Sequence, residues 1–261
     1  MYENKHGTPE HARMQPMRFL KLKSTAPRAN GAAYKHALIV DAPRRFAPSS
    51  QRTETSLSRQ KNHLIEGAHD SGKTRWLVRL YENWADIWGA KIQEEPLYLS
   101  ALEPITDWID APHVEAWWAE VECERALAAD EPPRKWYKLS QKHKLEALSN
   151  YLHATKTLLF LDDAHRLTGR KLQVARQCVL GSKYWIISCS SENRLPPTLR
   201  TIVERGAPQR TRLESDASYD STKVLMWMLI VGFAAAGVWE AAIVLGGFQM
   251  LGTGRRAARA D

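Results

Sequence analysis

A chain of 261 residues is long enough for one well-buried domain with extra segments and too short for two large ones. Its 44% hydrophobic and 25% charged residues argue against a fibrous or wholly disordered chain, and three cysteines without a CxxC spacing argue against a disulfide framework or a zinc site. The net charge of +8 sits mainly at the start, where residues 1–60 hold eleven Lys and Arg against four acids.

Residues 1–35 mix Gly, Pro, Lys and Arg without periodicity and read as a flexible basic arm. They contain no apolar run of signal-peptide length, so nothing there directs export. Such an arm attracts a polyanion, either nucleic acid or the anionic face of a membrane; a merely solvated leader is the other reading. Residues 36–40 (HALIV) read as a short strand that opens an ordered domain over 36–215. A second strand is predicted at 62–66, followed by a glycine-containing loop at 67–72. A helix over 73–88 then places Trp76, Leu77, Leu80, Trp84, Ile87 and Trp88 near one face.

Further along, a strand at 97–99 precedes helices around 113–129 and 140–153, separated by Asp-Glu-Pro-Pro-Arg at 130–134, where two prolines stop a helix. Apolar runs at 157–162 (TLLFLD) and 183–188 (KYWIIS) end in polar residues, as buried parallel strands do. Residues 209–213 supply a last strand. Alternating strands and helices predict an α/β fold with a parallel sheet in three layers. The tryptophans at 84, 88, 108, 117, 118 and 136 lack the basic surroundings of a base-stacking surface and read as packing residues.

After a linker at 216–223, residues 224–251 carry one charge, Glu240, among Ala, Gly, Val and Leu. Twenty-eight helical residues reach about 42 Å, more than the ~30 Å of a bilayer's hydrocarbon core, so one tilted transmembrane helix fits and two crossings do not. A shallow hairpin turning near 234–237 is the alternative, and it would keep Arg255, Arg256 and Arg259 of the basic tail 252–261 on the side of the main domain.

The chemistry concentrates in two segments. Gly67-Ala68-His69-Asp70-Ser71-Gly72-Lys73-Thr74 fits G-x-x-x-x-G-K-[ST] in full. Glycines let the backbone wrap so that its N–H groups and the following helix N-terminus converge on phosphate oxygens. Lys73 would neutralise the β- and γ-phosphates and Thr74 would hold Mg²⁺, while His69 and Asp70 occupy variable positions. Downstream, Leu158-Leu159-Phe160-Leu161-Asp162-Asp163-Ala164-His165 delivers two carboxylates to a strand's C-terminal end, the edge of a parallel sheet where ligands bind. Asp162 would orient Mg²⁺ and Asp163 would act as general base toward water.

Together GAHDSGKT and LLFLDDAH resemble the Walker A and Walker B motifs of AAA-type P-loop ATPases, most like small bacterial transposition and secretion ATPases. The resemblance covers about residues 36–215. It implies ATP with Mg²⁺, ATP hydrolysis, and a homo-oligomer. It also implies a polar sensor after the strand at 183–188, for which Ser188 and Ser190 are the candidates. The segment LPPTLRTIVERG at 195–206 resembles the one that carries arginine fingers, which puts forward Arg200 and Arg205. The chain departs from the pattern by having Asp163 where the family places Glu, and by leaving no room for a helical lid before residue 224.

The sequence therefore predicts an ATPase anchored at the inner face of a bacterial membrane, its catalytic domain cytoplasmic, acting on a protein or nucleic-acid complex. A slow nucleotide-dependent switch that recruits partners to the membrane is a second reading. A phage-assembly ATPase resembling the zonula occludens toxin family is a third, although there the loop lies nearer the N-terminus.

Overall fold

The computed structural model describes residues 17–24, 35–42, 53–213, 228–233 and 235–237. The chain divides into two units, Met1–Ser215 and Asp216–Asp261. The first holds two sheets. A small antiparallel meander is built from β1 (Met17–Ser24), β2 (Lys35–Ala42) and β3 (Thr53–Ser56), in the order β1-β2-β3. A larger parallel sheet is built from β4 (His63–Gly67), β5 (Leu97–Ser100), β6 (Leu158–Asp162), β7 (Tyr184–Cys189) and β8 (Gln209–Leu213), in the order β5-β6-β7-β4-β8.

Parallel strands need crossovers, and the helices supply them. Between β4 and β5 run α1 (Lys73–Glu82) and α2 (Trp84–Trp88). Between β5 and β6 run α3 (Ile105–Trp108), α4 (Pro112–Ala129) and α5 (Gln141–Thr155). Then α6 (Gly169–Gly181) leads to β7 and α7 (Pro197–Arg205) to β8.

Strand alternation sorts the sheet's side chains into two cores. Leu64, Leu97, Leu99, Leu159, Leu161, Trp185 and Ile187 pack with α4, α5, α6 and α7 on one face. Ile65, Leu158, Phe160 and Ile186 pack on the other with Trp76, Leu77 and Leu80 of α1, with Ile87 and Trp88 of α2, and with Leu20, Ala37 and Ile39 of the meander. The result is three layers around a sheet buried on both faces, which is why β6 reads as an unbroken apolar run. Because α1 leaves β4 toward one face and the helices after β6 and β7 lie on the other, the loops after these strands part and leave a crevice at their C-terminal ends.

Two local expectations need correction, and one strand had no counterpart among them. The stretch read as a flexible arm contains β1, whose Leu20 and Leu22 face the core while Lys21 and Lys23 alternate outward. Its Arg18 pairs with Asp41 across the ladder, Nε to Oδ1 at 2.6 Å. β3, four exposed polar residues, carries no apolar signal at all. The helix expected over 73–88 is two helices, since Asn83 breaks it: its amide donates to the Arg79 carbonyl at 2.8 Å and its side-chain oxygen accepts from Lys35 at 2.9 Å.

In the second unit, residues 228–233 are helical and Gly237 has φ 78°. The transmembrane helix expected over 224–251 falls largely outside the described residues. Among the described residues no helix is long and apolar enough to cross a membrane. The linker 216–223 and the tail 252–261 lie outside the described residues as well.

Candidate functional site

The loop after β4 is shaped by two glycines for different reasons. A side chain at Gly67 would drive its Cβ to within 2.6 Å of the Leu213 carbonyl on β8, and into Ser71 Oγ. Gly72 has open space around it but adopts φ 83°, a left-handed conformation in which only glycine is free of strain. Asp70 is also left-handed, at φ 60°. Ser71 N–H closes the turn on the Ala68 carbonyl at 3.3 Å, and no side chain caps the N-terminus of α1, so its first-turn N–H groups stay available to an anion.

Lys73 is buried and donates to the Ala68 carbonyl at 2.8 Å, curled back over its own loop. Ser71 Oγ is buried and has no hydrogen-bond partner among the described residues. His69 and Asp70 are exposed and touch each other, Nδ1 to Oδ2 at 2.9 Å. Thr74 is exposed on the first turn of α1.

At the ends of β6 and β7 the site is made of side chains. Asp162 is buried, and its Oδ1 accepts from the Ser188 hydroxyl and, at 3.0 Å, from the Asp163 N–H. That N–H also reaches Ser188 Oγ at 2.9 Å, which closes a three-membered network and uses up the serine. Among the described residues Asp162 Oδ2 has one hydrogen-bond partner, the Tyr98 hydroxyl at 3.4 Å. Burial, and next the Asp162 charge, push the Tyr98 hydroxyl's pKa upward, so it stays protonated and donates.

Asp163 adopts φ 50° at the start of a 3₁₀ turn over Ala164–Arg166. His165 Nδ1 accepts the Ser190 N–H at 3.3 Å and lies 3.9 Å from Asp163 Oδ1. Burial lowers the His165 pKa, against the opposing pull of the Asp163 charge.

These two halves enclose a cavity of about 540 Å³. Gly67, Ala68, His69 and Lys73 line it from the loop side. Asp163, His165, Ser190 and Ser191 line it from the β6 and β7 side, and three arginines, Arg166, Arg194 and Arg212, complete the wall. Ser190 Oγ is buried and has no hydrogen-bond partner among the described residues, so of the two sensor candidates it is Ser190 that has a free hydroxyl at the cavity.

Thr74 and Asp162, the expected Mg²⁺ ligands, do not line this cavity. Asp162 follows Phe160 by two residues and shares its side of the sheet, the side packed by α1, which carries Thr74. A hydroxyl and a carboxylate whose Oδ2 is weakly engaged are hard oxygen donors of the kind Mg²⁺ takes together with phosphate oxygens and water, although Thr74 lines a separate cavity with Arg75, Arg79 and Asn83. By donor chemistry the two residues fit the ion. Among the described residues no group of three or more His, Cys, Asp or Glu is placed to cage a metal unaided.

The arginine candidates fall elsewhere. Arg200 donates to the carbonyls of Asn193 and, at 3.4 Å, Leu195, with its Nε buried and unpartnered. Arg205 is exposed in the last turn of α7. Neither lines the cavity. The residues that sequence reasoning passed over are Arg166, Arg194 and Arg212, for no spacing rule links three arginines on three separate segments. His165 had a signal, its place directly after the carboxylate pair.

No protein-family model and no curated protein matches the chain. Solved structures that it resembles include AMPPCP-bound DnaA from Aquifex aeolicus, at 17% identity and TM-score 0.34 over 67% of this chain and 46% of the other. They include a DNA replication initiation factor, at 16% and 0.32 over 67% and 46%. The cytoplasmic domain of the Thermomonospora curvata type VII secretion ATPase EccC aligns at 13% and 0.34 over 64% and 21%. The chain spans less than half the length of each of the three.

Proposed function

We propose that the protein binds ATP with Mg²⁺ and hydrolyses it. The observation that carries this is the convergence, on one cavity, of a glycine-shaped loop with a buried lysine and a strand-end carboxylate with an unpartnered serine hydroxyl. On this reading the N–H groups of residues 67–74 and Lys73 hold the phosphate chain. Thr74 and Asp162 are the ligands for Mg²⁺, which supplies positive charge to the phosphate oxygens. Asp163 accepts the proton of the attacking water, and Ser190 donates to the terminal phosphate.

The apolar composition of 224–251 supports a membrane anchor with the ATPase domain on the cytoplasmic face of a bacterial inner membrane, where ATP is available. The positive charge of residues 1–60 supports an anionic partner, and the substrate is a protein or nucleic-acid complex met at that surface.

The test is a contrast of two variants. Lys73→Ala is expected to weaken binding of a fluorescent ATP analogue by about 10²- to 10³-fold, the cost of removing one partner from a buried charge pair. Asp163→Asn is expected to bind normally and to hydrolyse about 10²- to 10⁴-fold more slowly. Wild-type binding in Lys73→Ala, or unimpaired turnover in Asp163→Asn, overturns the mechanism.

A further inference from the structure

Four cationic side chains line the cavity, Lys73, Arg166, Arg194 and Arg212, against one carboxylate, Asp163. Among the described residues none of the three arginine guanidiniums makes an ion pair or hydrogen bond with its own chain. Elsewhere arginines are satisfied: Arg125 pairs with Glu122 at 2.7 Å and Arg210 with Glu192 at 2.8 Å. An unneutralised cluster inside a concave wall focuses field on whatever enters it and selects for a ligand of high negative charge. Guanidinium, planar and forked, suits phosphate in particular.

Arg194 is held in place by its neighbours in the chain. The Glu192 N–H donates to Glu66 Oε1 at 2.5 Å, and the Glu192 carboxylate takes both Nε and a terminal nitrogen of Arg210, at 2.9 and 2.8 Å. The Asn193 and Leu195 carbonyls are gripped by Arg200. With the residues on both sides pinned, the turn presents Arg194 at the cavity without a loop rearrangement. Because Arg210 occupies Glu192, that carboxylate is not free to draw Arg194 away. Arg212 stands two residues beyond Arg210 on the same side of β8, so one strand supplies both the latch and a second cavity arginine.

We propose that Arg194 and Arg212 grip the terminal phosphate of a nucleoside triphosphate bound by their own chain, so that the site is electrostatically complete within one subunit. In hydrolysis the water oxygen forms a bond to the γ-phosphorus and the bond to the bridging oxygen breaks, its electron pair leaving with the diphosphate. The water's proton passes to Asp163. The two guanidiniums offset charge on the γ-oxygens and stay protonated throughout. Arg200, put forward as a finger for a neighbouring subunit, becomes a positioning residue for Arg194.

This inference rests on the cavity being a nucleotide site, and the experiment separates the two. The full chain, wild type and with Arg194→Gln, Arg212→Gln or Lys73→Ala, is titrated with fluorescent ATP and ADP analogues and assayed for phosphate release across a dilution series. ATP binding that does not depend on Lys73 defeats the nucleotide reading itself. With that dependence present, each arginine variant is expected to lose on the order of 10²-fold in turnover, with a smaller change in ADP affinity. Specific activity is expected to stay constant on dilution. Mixing Arg194→Gln with Lys73→Ala protein is expected to restore nothing, because an arginine acting within its own chain cannot be lent. Turnover at the wild-type level in both arginine variants overturns the proposal, and so does recovery of activity in the mixture. Both arginines are exposed, and equal thermal melts check that the variants are folded.

Discussion

The two sides of the cavity solve the same problem with different materials. On the β4 side, shape is set by backbone: Gly67 admits the Leu213 carbonyl, Gly72 takes φ 83°, and the available donors are N–H groups. On the β6 and β7 side, shape is set by side chains that hold one another, Asp162, Ser188 and the Asp163 amide in one closed network. A backbone site tolerates most side-chain changes but few changes at glycine. A side-chain network is the reverse, since each member's loss strands another buried polar group.

Acid is expected to break the contrast most strongly, at the far end of β4. His63 is buried, donates Nε2–H to the Ser58 carbonyl at 2.6 Å, and has its pKa lowered to about 4 by burial. The unfolded chain binds the proton near pH 6.5 and the folded chain does not until about pH 4. Stability is therefore full above pH 6.5 and falls as pH drops from 6.5 toward 4, by about 3 kcal/mol. Thermal melts across that window should show the decline, and His63→Gln should flatten it; an unchanged slope in the variant would assign the loss to other groups.

Ser188→Ala comes next. It removes a donor to Asp162 Oδ1 and an acceptor of the Asp163 N–H, and is expected to cost about 1–3 kcal/mol in denaturant unfolding. Turnover should fall with it while nucleotide affinity is kept, because the loop is untouched. Ser188→Ala protein as stable and as active as wild type would show that the network is dispensable.

The smallest effect is expected at Gly72→Ala. The site has room for the methyl group, so the cost is that of the left-handed backbone alone, about 1–2 kcal/mol. If the loop is a backbone device, that strain should appear as weaker binding of the ATP analogue. Affinity equal to wild type would blur the distinction between the two sides.

What could be read in the sequence follows the same division. The loop was legible because its constraints are local: the required glycines, the lysine and the helix start lie within eight consecutive residues. The apolar runs of β6 and β7 were legible because strands buried on both faces need no alternation. β1 was missed because its alternation is brief and lies among prolines and basic residues, and β3 because it carries no apolar residue. The break at Asn83 depends on Lys35, 48 residues away, and could not be read from the helix itself. The cavity's arginines come from three segments that only the sheet order β6-β7-β4-β8 brings to one wall. The linear pattern put forward Arg200 and Arg205, of which Arg200 donates to carbonyls of its own loop and Arg205 is exposed on α7.

The contact between Gly67 and the Leu213 carbonyl also bears on how the protein is made. β8 lies beside β4 in the sheet but follows it by more than a hundred residues, with three other strands made in between. While the chain is being synthesised, β4 and its loop emerge early with one flank open, and the wall carrying Arg212 does not yet exist. Pairing of such distant segments is slow, because a long loop must close before any contact rewards it. Completion of the glycine loop's surroundings is thus tied to the last strand of the domain, and a nascent chain that has not reached Leu213 lacks one wall of the cavity.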